Sequence, residues 1–346
     1  MNTKQWTIGL LLLVTLFTSV LAACGSSRTI DKTQSDNKPV PVAIENPFTV
    51  LQAETANYLK RNLPLYIEPA EVMNRVVIKK EPDYVVVDIR NDEHYAAAHI
   101  PGAIHIAYAD IWREQKFSYL PKDKKLIVVD YSGHTASQTA ALWNMLGLDA
   151  VAMKNGMAGW SKDKEVIGGS PLLCAANSYP VTSVPASSDR HDLPKLDLKA
   201  ASVAEILMKT SQLAAEIPPV ILPKDLMEKV SSHYIIDLRQ PQHYQAGHIE
   251  GAVNIPFRDL AETESLRKIP LDKNIALVCY DGHAASQAAR LLNLLGYRTA
   301  ALKDGMSAWT ANEGVIGAKA VSCRITENPV EKLNALLKAG PSTAAT

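Results

Sequence analysis

Surplus charge is missing from this chain of 346 residues. Lys plus Arg and Asp plus Glu both number 36, so no bulk field draws it to nucleic acid or to an acidic surface. Nucleic acid is not an expected partner. Cysteine is scarce at four residues, too few to build a fold of this length from disulfides. Long apolar runs are missing too: the amino-terminal stretch Ile8 to Val20 is too short and wrongly flanked for a spanning helix. What is present, 47% hydrophobic and 21% charged residues, is an ordinary globular composition with length for two domains.

The amino end reads as a targeting segment. Lys4 gives a positive n-region, Ile8 to Val20 an apolar h-region, and Leu21-Ala22-Ala23-Cys24-Gly25 resembles a bacterial lipobox. The resemblance implies a lipoprotein signal peptide over residues 1–23, cleavage before Cys24 and a diacylglycerol on its sulfur, with a plain secretory signal as the alternative. Two or three acyl chains, palmitate among them, hold a protein on a membrane where one binds marginally. Gly25 rather than Asp after the cysteine favours the outer membrane, so the expected location is the cell envelope. Residues 24–46 are polar and proline-bearing and read as a flexible tether.

The mature chain is a duplication. Asp88-Ile89-Arg90 and His99-Ile100-Pro101-Gly102-Ala103 recur as Asp237-Leu238-Arg239 and His248-Ile249-Glu250-Gly251-Ala252, 149 residues later as from His99 to His248. The spacing holds without a gap to Cys174 and Cys323, and pairs Gly133 with Gly282 and Trp160 with Trp309. Within the second copy, Tyr234 to Leu238, Ala252 to Ile255, Ile275 to Val278 and Thr299 to Leu302 read as strands. Pro241 to Ala246, Arg258 to Arg267, Ala285 to Leu294 and Met306 to Asn312 read as helices between them, with a further helix before each copy near Leu51 to Arg61 and Ala201 to Ala214. The expectation is α/β: two tandem domains over 47–168 and 197–320, each a mostly parallel sheet with helices on both faces. A Ser/Pro-rich linker, 169–196, wraps the surface between them, and a tail with a short helix covers 321–346.

Four motifs recur in order in both copies: Asp-x-Arg, His-Ile-x-Gly-Ala, a strand leading into a Gly-bearing loop and helix, and Gly-Met-x-x-Trp. The set resembles the rhodanese or sulfurtransferase family, as a tandem pair similar to thiosulfate and mercaptopyruvate sulfurtransferases. The resemblance implies sulfane-sulfur transfer through a cysteine persulfide, with no metal or organic cofactor. It also implies a small sulfur donor and a thiol or cyanide acceptor.

Cys279 stands where that chemistry needs a nucleophile, at the carboxyl end of a strand and before a glycine turn and a helix amino end, which favour a thiolate. The bland alternative is a buried, space-filling thiol. The first copy has Asp130 at this position, and a carboxylate cannot carry sulfane sulfur, so that copy is expected to be inactive with its cradle filled internally. Loop amides from Tyr280, Asp281, Gly282, His283 and Ala284 are expected to hold the persulfide. Tyr280, Gly282 and His283 recur in the inactive loop, which favours a shaping role; acid or base work by His283 is the alternative. Asp281 replaces Ser132 and would oppose a dianionic donor, and no Lys or Arg lies between Cys279 and Ser286. Thiosulfate as natural donor is therefore in doubt and a cysteine phosphatase is disfavoured. Arg239 is either a structural ion-pair partner of Asp237 or a substrate contact.

Cys174 and Cys323 occupy equivalent positions and form either a disulfide or two inherited thiols. An exported persulfide enzyme calls for a reductant, such as a periplasmic redox protein. The competing functional reading is a binding or delivery module for sulfur or chalcogen oxyanions (selenite, tellurite) that serves a membrane or respiratory partner without turnover. A purely structural homologue, indifferent to Cys279, is the third.

Overall fold

The structure, a computed structural model, describes residues 44–61, 63–169, 177–213, 220–317 and 327–333. The expected signal peptide, Cys24, most of the expected tether, Cys174, Cys323 and most of the expected tail lie outside the described residues. Among the described residues no helix is long and apolar enough to cross a membrane.

Each copy is a five-stranded, wholly parallel sheet. In the first, helix α1 (Pro47–Lys60) precedes β1 (Tyr66–Ile67), β2 (Tyr84–Asp88), β3 (Ile104–His105), β4 (Lys125–Val129), helix α2 (His134–Met145), β5 (Asp149–Met153) and helix α3 (Gly156–Trp160). The second repeats this as α4 (Val203–Leu213), β6 (Val220–Ile221), β7 (His233–Asp237), β8 (Val253–Asn254), β9 (Asn274–Val278), α5 (His283–Leu294), β10 (Thr299–Leu302) and α6 (Gly305–Trp309). The strand orders correspond, β1-β5-β4-β2-β3 and β6-β10-β9-β7-β8. The central strands carry unbroken apolar runs, Leu126 to Val129 and Ile275 to Val278, because both sheet faces are covered.

The inner faces of the two sheets share one core. Leu126 and Val128 of the first and Leu277 of the second belong to the same cluster, with α2 and α5 packed against each other between the sheets. Every residue of α5 is consequently buried. Some of its polar groups bond across the interface: Gln287 donates to the Leu65 carbonyl (3.1 Å) and accepts from the Tyr58 hydroxyl (3.1 Å), whereas Ser286 Oγ, His283 Nε2 and Arg290 Nε and Nη1 are buried without a hydrogen-bond partner among the described residues. The outer faces form separate cores around Trp160 and Trp309.

Four features depart from the sequence reading. The short edge strands β1 and β6 are too brief for a periodicity signal. The expected helix Arg258 to Arg267 is two turns, Phe257–Asp259 and Thr263–Leu266: Glu262 is extended (ψ 142°), which lets the adjacent Leu260 and Ala261 both turn inward. α6 stops at Trp309, where Thr310 is extended and Asn312 caps a new turn through the Gly314 and Val315 amides.

The fourth departure is an exchange of arms. The segment after the first copy packs on the second: Tyr179 N donates to the Trp309 carbonyl (3.2 Å), the Trp309 indole donates to Pro180 (3.0 Å), and Thr182 bridges His248. The segment after the second copy makes the matching bonds on the first, with the Trp160 indole donating to Pro329 (2.9 Å) and Glu331 bridging His99. The two tryptophans thus pin the arms as well as pack.

Candidate active site

β9 delivers Cys279 to the carboxyl end of the second sheet, and Gly282 turns the chain into α5 with φ of +88°. A Cβ at Gly282 would lie 2.5 Å from His134 Nε2 and 2.9 Å from the Asp304 amide nitrogen, so the position needs glycine for space as well as for conformation. Cys279 Sγ accepts N–H groups from Gly282 (3.1 Å) and Ala285 (3.3 Å). The thiol is only 2% exposed, and Asp281 Oδ1 lies 4.0 Å from it.

These surroundings correct the expected thiolate. Burial, and after it the Asp281 carboxylate, push the Cys279 thiol up to about 12, against the opposing pull of the Ala285, Asp281 and Gly282 amides. The amides are present as the motif implies, but desolvation outweighs them. Among the described residues Cys279 is the one free cysteine, and no group of His, Cys, Asp or Glu is placed to hold a metal.

The first copy contains the same cradle, occupied. Asp130 Oδ1 accepts from the Ser132 amide (3.2 Å) and from the Gly133 amide, while Oδ2 accepts from the Thr135 amide (2.9 Å) and hydroxyl. Gly133 and Thr135 correspond to Gly282 and Ala284 at the repeat spacing. A negative oxygen two bonds beyond Cβ therefore sits in the turn that surrounds Cys279 in the second copy.

The two loops clasp each other. His134 and His283 stack across the interface (ring centroids 5.6 Å, 20°). His134 Nε2 accepts from the Asp304 amide (3.1 Å), and His283 Nδ1 meets Ser137 Oγ (3.0 Å). Burial lowers the His283 ring below its ordinary value, the nearby Asp281 charge opposing it, which favours the neutral form. The side chain of His283, fully buried, is directed into the first copy, and its role is to join the repeats. Tyr280 braces the loop from outside through its hydroxyl, which accepts from the Gln240 amide (3.1 Å) and meets His243 Nδ1 (2.7 Å).

Arg239 is corrected to a framework residue. It is fully buried, pairs with Asp237, and gives its remaining donors to the carbonyls of Gly247, Val315 and Ile316, which leaves none for a substrate. Arg90 repeats the arrangement on Asp88, Ala98, Val166 and Ile167.

The profile of the Rhodanese-like domain matches this chain twice, over residues 70–163 and 222–312. The chain belongs to the rhodanese-like family. Among curated relatives, it is 36% identical over 77 residues to the HTH-type transcriptional regulator Rv0324 of Mycobacterium tuberculosis, covering 22% of this chain and 33% of that protein. It is 30% identical over 67 residues to the thiosulfate sulfurtransferase PspE of Escherichia coli (19% of this chain, 64% of that one). It is 35% identical over 71 residues to the thiosulfate sulfurtransferase GlpE of Pseudomonas entomophila (20% and 63%). The chain thus spans between a third and somewhat under two thirds of these relatives. Of solved structures, a thiosulfate sulfurtransferase from Pseudomonas aeruginosa aligns over 82% of this chain and 50% of its own at 17% identity and a TM-score of 0.29.

Sequence reasoning missed the wall that the first rhodanese-like domain presents to the Cys279 loop. Tyr66 lies against His283 (centroids 5.0 Å, 56°), and Lys154 Nζ stands 4.5 Å over the Tyr66 ring. Neither residue belongs to a motif, and nothing in a linear sequence announces a contact made across a duplication.

Proposed function

We propose that the chain is a sulfurtransferase in which the second rhodanese-like domain carries sulfane sulfur on Cys279 and the first holds the loop in shape. The observation that supports this reading best is the bound carboxylate of Asp130. A cysteine persulfide, Cβ–Sγ–Sδ⁻, places its negative atom two bonds beyond Cβ as an aspartate does, Cβ–Cγ–Oδ⁻, over somewhat longer bonds. The amides that hold Asp130 correspond to those of Asp281, Gly282 and Ala284, which then hold the outer sulfur in the manner of an oxyanion hole.

With thiosulfate, the Cys279 thiolate attacks the outer sulfur, the new S–S bond forms, and the bond to the sulfonate breaks with its electron pair leaving on sulfite. With 3-mercaptopyruvate, the C–S bond breaks, and the electron pair and the thiol proton end on the carbon of pyruvate. Cyanide or an acceptor thiolate then takes the outer sulfur and returns the Cys279 thiolate. Asp281 disfavours the dianion of thiosulfate relative to the singly charged 3-mercaptopyruvate. The lipobox at Cys24 supports a lipid-anchored location in the cell envelope, on the outer membrane, with a periplasmic redox protein as partner.

A second reading, stoichiometric sulfur delivery, is favoured by the burial and suppressed ionisation of the thiol. The deciding experiment uses the reduced soluble chain from Gly25 onward and its C279S variant, each treated with either donor and followed by intact mass and cyanolysis. The expected result is one added sulfur on the parent alone, discharged as thiocyanate over many cycles. A single discharge without turnover would move the assignment to delivery, and equal loading of C279S would remove Cys279 from the chemistry.

A further inference from the structure

The loop that holds Cys279 carries a negative charge at Asp281 and none of the opposite sign, yet a cation stands on the facing wall. Lys154 follows β5 of the first domain, with its amide donating to the Ile67 carbonyl (2.9 Å), and its ammonium lies over the ring of Tyr66. Tyr66 in turn touches His283 of the Cys279 loop. Burial and then the charge of Asp281 raise the Tyr66 phenol, so this ring is within electrostatic reach of the acidic loop. Lys154, Tyr66, His283 and Asp281 form a continuous line from the first domain to the reacting end of the second.

The duplication supplies a comparison. Lysine occurs in both copies, Lys154 and Lys303, each donating its amide to the edge strand (Ile67 and Ile221), but Tyr66 and Glu68 correspond on those strands to Val220 and Leu222. The aromatic seat and its acidic neighbour are present only in the copy that faces the cysteine. Glu68 holds the ammonium at 2.8 Å, but its side chain is 54% exposed against 21% for Lys154, and an ion pair so open to water is easily exchanged for another anion.

We propose that Tyr66 and Lys154 are the anion-selecting wall of the Cys279 site, with Lys154 receiving a carboxylate on the sulfur donor that lies some distance from the reacting sulfur. The inference rests on Cys279 being the reacting group. A donor charged at the atom bonded to the reacting sulfur meets Asp281, whereas one whose single carboxylate is set back meets the ammonium. Lys154 is thus a specificity residue supplied by the inactive domain.

Iodoacetate and iodoacetamide test this independently of sulfur transfer. Both alkylate the thiolate by the same displacement of iodide and differ by one carboxylate, and the rate is read from the mass of the Cys279 peptide. In Lys154→Met the ratio of the iodoacetate to the iodoacetamide rate is expected to fall roughly fivefold, as one nearby cation at a part-exposed site implies. In Glu68→Gln, which releases the ammonium, the ratio is expected to rise, and Lys154→Arg is expected to keep it. An unchanged ratio in Lys154→Met would overturn the proposal, as would equal slowing of both reagents, which would mean that Lys154 acts on the thiol or on access. Because neither reagent delivers sulfur, a failure of persulfide loading leaves this result standing on its own.

Discussion

Replacing Asp281 with asparagine is expected to make Cys279 about ten times more reactive toward a neutral alkylating agent near pH 8. Two causes hold the thiol protonated, burial first and the Asp281 charge second, and the substitution removes the second alone. Well below the thiol's pKa the thiolate fraction rises tenfold for each unit the pKa falls, and one unit is the ordinary scale for losing a carboxylate close to the sulfur. Asparagine is the right probe because its carbonyl oxygen can still accept the His283 amide, as Asp281 Oδ1 does at 3.2 Å. The sign is fixed by the chemistry: an anion beside an acid raises its pKa, so its removal lowers it. The alkylation profile against pH should therefore shift toward acid without changing its plateau. Thiosulfate loading should quicken more than iodoacetamide alkylation, because a dianion also escapes repulsion. A profile unmoved in Asp281→Asn would mean that burial alone sets the thiol.

The substitution Gly282→Ala is expected to abolish loading and to destabilise the folded chain by roughly 3–5 kcal/mol. A non-glycine residue at φ of +88° is strained by about 1–2 kcal/mol. The larger cost is that the added carbon lands on His134 Nε2 and on the backbone nitrogen of Asp304, which cannot move independently of the loop. His134 can yield where the Asp304 backbone cannot, so His134→Ala combined with Gly282→Ala should recover part of the stability but little of the activity. Thermal denaturation and mass-detected loading of the single and double variants separate the two costs. Full activity in Gly282→Ala would show that the clasp between the loops is dispensable.

The parts of this molecule that were readable in its sequence are those fixed by local pattern. The strand leading into Cys279, the glycine turn and the helix follow from an apolar run, one special residue and helical spacing, and the duplication gives each element a second witness. Contacts between the copies were unreadable for a physical reason. Periodicity reports that a face is buried and says nothing of what buries it, so the stacking of His283 on His134, the wall of Tyr66 and Lys154, and the exchanged arms leave no local trace. The ionisation of Cys279 belongs to the same class, because the amides that lower it are encoded by the turn, while the desolvation that raises it comes with the core shared by the two copies. Arg239 shows the converse: its recurrence as Arg90 pointed to structure, and its donors are all taken by Asp237 and carbonyl groups.

The central claim is that the second loop holds a persulfide as the first holds Asp130, and a crystal structure of the donor-treated protein addresses it directly. The account predicts a second sulfur on Cys279 lying within hydrogen-bond reach of the Gly282 and Ala284 amides, in the part of the turn that the Asp130 carboxylate fills in the first domain. An outer sulfur turned away from these amides, or no added sulfur on a reduced Cys279, would contradict it.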